Sequence, residues 1–600
     1  MANFFAELKR RSIFRVGAAY TVVAWILLQL VTNLTPALRL PEWASSLVVV
    51  FLLVGFPVAL IFAWVHQMPT ESGAGTRAST GKLDWFLASA LVVVIALVSY
   101  QQLAPVQSQQ AEDAKPGGPS AQAGVISVAV LPFVNLSSDA EQEFFSDGIT
   151  EEITSALARV PGLIVIGRTS AFEFKGQNRD LRMIGQALGT THLIEGSVRK
   201  AGTRVRITAQ LIVANSGAHL WTENYDRELT DVFAIQEDIA RAIAGALRVP
   251  LGLQQGENLV SNRKIDPESY QQYLRAKALD QAGGGRRAAE VRALLEQVVA
   301  RNPDYAPAWA LLGFYYGGVA LSAAQAGPLD ESRRTVNTFL PKMESAVRRA
   351  IQLDPNLPDG YAKLSVLEDA RGKLVAAEGL MLKALALDPD NPDVLNSYSL
   401  LLARVGRLKE AMPIRLKLQS VEPFVPVFNA ATANLLWVNG QNDAALAMFK
   451  ALPTLGAVRA RGTARIYATT GRYGEAADAL QGISEVIASP ASAQEAVRLL
   501  RSGPASVTSA DDLRSLERLG WVYLYVGAPE QSLQLQERLV DLGILYGEET
   551  REFWHPDYAP VRKTERFKTF VRKAGLVDYW RAKDWPEFCR PTNGDDFACE

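Results

Sequence analysis

The hydrophobic pattern divides the chain into three regimes. Residues 16–34 and 47–65 are apolar stretches of 19 residues each, and a third runs over about 84–103, ending in glutamines. At about 1.5 Å of helical rise per residue against a hydrocarbon core of about 30 Å, they predict three transmembrane helices in a membrane anchor over 1–104. Lys9, Arg10, Arg11 and Arg15 precede the first stretch, whereas the loop behind it carries Arg39 opposed by Glu42. Positive residues favour the cytoplasmic side. The pattern therefore predicts a multi-pass inner (plasma) membrane protein with a cytoplasmic N-terminus and periplasmic C-terminal domains. Residues 105–124, rich in Gln, Ala, Pro and Gly, read as a flexible linker.

Over 125–250 the period changes. The β-branched run ISVAVLP (Ile126–Pro132) predicts a buried strand, and Ile149, Ile153, Ala156, Leu157 and Val160 mark one face of a helix over about 141–159. LIVIGR (Leu163–Arg168) is again strand-like, a helix follows over about 180–188, and a strand begins at His192. After a turn at Ala201 and Gly202, Val205, Ile207, Ala209 and Leu211 alternate with polar partners, as in a half-exposed strand. A last strand from His219 precedes a helix over about 230–247. This order predicts an α/β sandwich with a mixed sheet of about five strands.

The pieces VAVLPFVNLSSDAEQEFFSDGITEEITSAL, LIVIGRTSAF, LGTTHLIEGSVRKAGTRVRITAQLI and HLWTENYDRELTDVFAIQEDIA resemble the TolB amino-terminal-like (FlgO-like) domain. The resemblance implies a binding or assembly module without defined catalytic residues, of a kind that bacterial proteins join to tetratricopeptide repeats.

Beyond a connector at 251–269 a longer period takes over. Pro355, Pro389 and Pro423 are spaced by 34, as are Gly372, Gly406 and Gly440, with Ala377, Ala411 and Ala445 five residues after each glycine. Small residues let paired helices approach, glycine supplies the turn and proline ends the second helix. That is the tetratricopeptide (TPR) pattern. Tyr361, Leu364, Ala377, Ala384 and Pro389 fit it best. The next unit keeps Tyr398 but departs at Arg415 and Leu418, which predicts looser or rotated packing. Pro303 to Pro355 is one period plus an insertion of 18 near 317–340, and degenerate units follow around Gly471, Gly520 and Gly527. The expectation is an all-α solenoid of about seven helical hairpins over 270–543, with a concave face for a protein or peptide partner. The aromatic segment 544–600 is expected to form a C-terminal helical cap over the end of the array. It resembles the closing segment of membrane-bound relatives, some carrying adenylyl cyclase or winged-helix regions. The whole is thus expected to be related to the sensor halves of TPR-containing adenylyl cyclases and transmembrane regulators.

Charge and composition narrow the chemistry. Sixty-two basic residues against 63 acidic give a net charge of −1, no field for nucleic acid. Two cysteines exclude a four-cysteine zinc or iron–sulfur site, and His66, His192, His219 and His555 are scattered. No metal, cofactor or catalytic residue is expected. Asp139, Glu141, Glu143, Asp147, Glu151 and Glu152 could suit acid–base chemistry or Mg²⁺, but the favoured reading is a solvated helix start that complements the dipole. Arg199, Lys200, Arg204 and Arg206 form a basic hairpin, a candidate anion site or simple edge protection. Cys589 and Cys599 are a candidate disulfide, worth about 2 to 3 kcal/mol. The stretch Gly75–Leu83 fails as a phosphate loop in spacing and in its last residue. No output domain is expected in the short segment before the first apolar stretch.

The function expected is a membrane-anchored scaffold or sensor arm, not an enzyme. Two alternatives are a ligand- or nucleotide-binding accessory of a signalling enzyme such as an adenylyl cyclase, or part of an envelope transport or assembly system. Polar groups converging around the acidic helix start and Arg168 would mark the accessory.

Overall fold

The computed structural model describes Ala24, Leu52 and residues 126–600, apart from 140–141, 178, 253–258, 261–264, 284–286, 326, 453–455, 482, 484–487, 504–512, 514 and 546–547. The elements below belong to one compact unit, Ala114–Glu600.

The expectation of three transmembrane helices is corrected. Among the described residues no helix is long and apolar enough to cross a membrane, and the stretches 16–34, 47–65 and 84–103 lie outside those residues except for Ala24 and Leu52. The described helices with sufficient length fail on composition: α7 (Ala306–Gln325, 20 residues) is built on alanine, glycine and tyrosine, and α8 (Leu329–Leu353, 25 residues) carries charge throughout. The multi-pass inner-membrane placement with periplasmic domains rested on those spans and falls with them.

The sheet runs β3 (Leu163–Ile166), β1 (Ile126–Val130), β4 (His192–Ala201), β5 (Arg204–Val213), β6 (His219–Glu228), with the short β2 (Val134–Asn135) beside β4. β1 is parallel to β3 and β4, while β4, β5 and β6 are antiparallel, so the sheet is mixed. Helices α1 (Glu143–Ala158) and α4 (Val232–Ala246) cover one face. Phe145, Ile149, Ile153 and Leu157 recur every four residues along α1 and meet Val128, Ile194, Ile207 and Ile239 in the core. After the short α2 (Arg168–Phe172), α3 (Leu181–Leu188) covers the opposite face near Leu193 and Ala214.

That core does not stop at residue 250. Tyr270, Tyr273 and Leu274 of α5 (Pro267–Gly283) share it. A Cβ on Gly148 would lie 2.7 Å from the Leu274 side chain, so the first repeat helix packs directly against α1.

Six helical hairpins follow among the described residues: α5 with α6 (Ala288–Arg301), α7 with α8, α9 (Pro358–Ala370) with α10 (Leu374–Leu387), α11 (Pro392–Arg404) with α12 (Leu408–Val421), α13 (Pro426–Val438) with α14 (Asn442–Lys450), and α15 (Gly456–Thr469) with α16 (Tyr473–Leu480). Helix α17 (Pro490–Ser502) pairs with a 3-10 stretch at Glu517–Tyr525. Gly372, Gly406 and Gly440 turn each hairpin at φ 73°, 88° and 75°, a region where a side chain would be strained. Ala377, Ala411, Ala384 and Ala445 are wholly buried, and Tyr361, Leu364 and Tyr398 nearly so. Pro389 and Pro423 lie in the turns between hairpins. The 18-residue insertion lengthens α7 and α8 rather than forming a loop. Arg415 is 1% exposed and reaches Asn396 at 2.6 Å and Thr432 at 3.1 Å, so a polar network stands where an apolar side chain would pack.

From Glu517 the chain turns back. Helix α18 (Gln534–Asp541) packs through Leu535 and Leu539 on Ala320, Ala324 and Val336 of the second hairpin, and Arg538 donates to the Ala324 carbonyl at 3.0 Å. Residues 545–600, with α19 (Ala559–Arg562), α20 (Glu565–Lys573), α21 (Leu576–Ala582) and a hairpin of β7 (Cys589–Pro591) and β8 (Phe597–Cys599), then lie along the first helices of the repeats. This segment was expected to cap the end of the array. Its aromatic side chains instead line the array from α9 to α15.

Candidate functional site

The first helices α9, α11 and α13 present their two ends to two different neighbours. At the C-terminal ends, Arg404 pairs with Asp369 at 2.7 Å and donates to the Leu545 carbonyl at 2.6 Å. Trp554 donates to the Arg404 carbonyl at 3.0 Å, and Trp580 to that of Val405 at 2.9 Å. His555 stacks on Trp437 with ring centroids 4.2 Å apart, and burial holds its imidazole down at about 4. Arg465 pairs with Glu552. The repeat glycines make room: a Cβ on Gly406 would lie 2.5 Å from Pro586. The cavities left here, at Ser399–Arg415–Arg551 and at Asp369–Arg404, are each about 20 Å³, the size of a water.

At the N-terminal ends the neighbour is the α/β region. Gly167 directly follows strand β3, and its N–H donates to the Val421 carbonyl at 2.7 Å. Glu422, 3% exposed, accepts from the Thr169 and Ser170 N–H groups at 3.2 and 2.8 Å, and the Phe424 N–H donates back to the Ser170 hydroxyl at 3.0 Å. A Cβ on Gly167 would lie 2.1 Å from the Glu422 carboxylate. Burial pushes this carboxyl up to about 7, against the pull of the N–H donors.

Beside this junction lies a cavity of about 260 Å³. Glu151, Arg159, Arg168 and Lys277 form one wall, and Asp359 and Asp393 from the starts of α9 and α11, with Asp388 and Asp390 from the turn between α10 and α11, form the other. Lys277 pairs with Glu151 at 2.9 Å and Glu152 at 3.4 Å, which raises its ammonium well above the usual range despite burial. Arg168 lies 3.4 Å from Glu151, with its guanidinium 3.7 Å above the Phe172 ring. Asp390 pairs with Lys417 at 2.8 Å. Asp388 takes Asn391 on one oxygen, while its other, Oδ1, is buried without a hydrogen bond.

Other residues singled out by sequence are dispersed. Glu143 and Asp147 both pair with Lys175, Asp147 at 2.5 Å with its carboxyl raised by burial, and Asp139 accepts from Gln142. Arg204 and Arg206 share Asp226, each at 2.7 Å, and Lys200 donates to Gln271 at 2.9 Å. Arg199 stays exposed, so the basic hairpin offers no convergent anion site. His192 contacts Thr191 at 2.9 Å and is lowered by burial; His219 starts β6, exposed. Cys589 and Cys599 face each other in the β7–β8 hairpin and are bonded. Among the described residues no group of three His, Cys, Asp or Glu side chains is disposed to hold a metal ion.

Asp359 and Asp393 escaped sequence reasoning, although a signal existed. Each follows a helix-opening proline, and they are 34 residues apart; the third position of the series is Val427.

No protein-family profile matches the chain. It is 37% identical over 252 residues to the "Putative adenylate cyclase 3" of Rhizobium meliloti (strain 1021), a match covering 42% of each protein. The chain thus spans 42% of the length of that curated relative. Among solved structures it is similar to YrrB, described as a TPR protein with an unusual peptide-binding site, at 17% identity, over 34% of this chain and 98% of that one, with a TM-score of 0.24. PilF of Pseudomonas aeruginosa is similar at 14% identity, over 38% and 95%, with a TM-score of 0.28. The hairpins themselves, with their turn glycines and buried alanines, define a TPR-containing protein.

Proposed function

We propose that this chain is a protein-binding scaffold or sensor arm that holds a protein or peptide partner. In this reading 125–250 is the TolB-like assembly module, 270–543 the binding array, and 544–600 the lining that fixes the array's shape. The observation that carries it is a repeating surface. The first-helix face is covered at both ends by the chain itself, whereas on the second helices Leu382 and Leu416, one repeat apart, stand 46% and 58% exposed, with Val375 beside them at 42%. Exposed apolar residues repeated along a solenoid suit an extended partner. The C-terminal segment packs along the first helices, so this reading puts the partner on the second helices.

Peptide display against the purified chain tests this. An enriched motif whose binding is lost in Leu382→Asp and Leu416→Asp supports the reading, and selection without enrichment counts against it.

A second reading, a ligand-binding accessory of a signalling enzyme, is favoured by the polar groups that converge around Arg168 and by the partial likeness to a protein named as an adenylate cyclase.

A further inference from the structure

We propose that β6 is a docking edge for a second copy of this chain, the two strands pairing antiparallel so that Arg227 of each copy faces Glu223 of the other. The two edges of the sheet differ. At β3 the repeats close the edge: Ile164 packs with Leu418 and Val421 of α12, and the Gly167 N–H bonds to the Val421 carbonyl. At the opposite edge β6 has, among the described residues, only β5 as a strand neighbour. It is ten residues long and contains no proline or lysine, two residues that commonly blunt an edge. A groove of about 480 Å³ runs along it, with Asp238 and Arg241 of α4 on the far side, so α4 leaves room beside the strand.

The backbone fixes which residues a second strand can meet. The Leu229 N–H donates to the Thr203 carbonyl at 2.7 Å, in the register that sets Arg204 opposite Glu228. Bonded and non-bonded pairs alternate along an antiparallel ladder. The odd-numbered residues of β6 therefore bond to β5, whereas Thr222, Asn224, Asp226 and Glu228 turn their N–H and C=O groups to the open side. All four residues are exposed. A second strand satisfies those groups only where even-numbered residues meet even-numbered ones.

Side-chain charge then selects one register. With a two-fold axis at Tyr225, Glu223 stands opposite Arg227 twice, Asn224 opposite Asp226 and Thr222 opposite Glu228, and no like charges are opposed. An axis at Asp226 sets that carboxylate against its own copy, and an axis at Asn224 sets Glu228 against Leu220. Opposite charges facing across strands stabilise a pairing and like charges oppose it. Arg227 lies 3.9 Å from Asp238 with both side chains half exposed, and Glu223 accepts the Tyr225 hydroxyl at 3.1 Å on one oxygen, so both can reach across the edge. An edge guarded by charge repels its own copy; the signs on β6 match instead. The same strand serves both copies, so the contact closes at a dimer and joins two sheets into one.

Sedimentation velocity on the purified full chain, over a range of micromolar concentrations at low salt, tests the pairing. A monomer–dimer equilibrium is expected. Arg227→Glu and Glu223→Arg should each raise the dimer dissociation constant about tenfold or more, because each opposes two like pairs across the axis. The chain carrying both substitutions should recover the parent value, since the pair is restored with its signs exchanged. Asn224→Pro removes an outward N–H at a position where an edge strand tolerates proline, and should abolish the dimer. Circular dichroism of each variant confirms that the fold is kept. A parent that stays monomeric at every concentration overturns the proposal. So does a dimer that ignores both single reversals, or one that the double exchange fails to recover.

Discussion

The two ends of the repeat's first helices meet the rest of the chain in opposite ways. Their C-terminal ends are sealed by Trp554, Trp580 and a set of buried ion pairs, with room left for single waters. Their N-terminal ends meet the α/β region around one tight junction at Glu422 and a cavity more than ten times larger, lined by carboxylates and by Arg159, Arg168 and Lys277. One repeat therefore supports both a structural interface and a chemical one. What decides between them is the neighbour: aromatic rings fill space, whereas a sheet edge and a helix start leave it.

The largest expected effect lies on the sealed side. Trp554→Ala removes a fully buried ring and leaves the Arg404 carbonyl without its donor. It should cost about 3–5 kcal/mol in urea unfolding. A loss below about 1 kcal/mol would make the lining segment peripheral and erase the contrast. Reducing the Cys589–Cys599 bond, which closes a short loop on the same side, should cost about 2–3 kcal/mol. The thermal midpoint with and without reductant, against Cys599→Ser, measures it.

At the junction, Gly167→Ala forces a methyl into the Glu422 carboxylate and should cost about 1–3 kcal/mol by denaturant unfolding. The same carboxyl gives a pH signature. Its value rises from the usual 4.5 to about 7 in the folded chain, so protonation favours the fold. The contribution is full below about pH 4.5 and is lost as pH rises through about 7. Stability measured across that range should fall with pH in the parent and fall less steeply in Glu422→Gln. The smallest effect belongs to the cavity: Asp359→Asn should change stability by no more than about 0.5 kcal/mol, because nothing in the fold leans on that side chain. A larger loss would mean that the open side is structural after all.

The periodic parts of this architecture were legible in the sequence. Gly372, Gly406 and Gly440, with the alanines five residues later, announce the hairpins because glycine and alanine are required there by backbone geometry and close helix approach. The alternation in β5 likewise announces its strand. Arg415 was legible only as a departure, since its partners Asn396 and Thr432 lie on other helices. The lining segment was read as a cap because its amphipathic pattern shows that it covers something, but not what; Trp554 meets Arg404 across 150 residues of chain. The cavity was hidden for the same reason, since Arg168 and Asp393 become neighbours only once the α/β region docks. The apolar stretches near the N-terminus are conspicuous as a pattern, yet no described helix bears out a membrane span.

The return of α18 to the second hairpin changes the mechanics of the array. An open solenoid is a spring, with each repeat touching only its neighbours, so it stretches under load and frays from its ends. Here a strut crosses the coils: Leu535 and Leu539 grip the second hairpin after the last repeats have been laid down. Extending the array first requires that clasp to break, so the repeats behave less as an elastic element than as a gauge of fixed length.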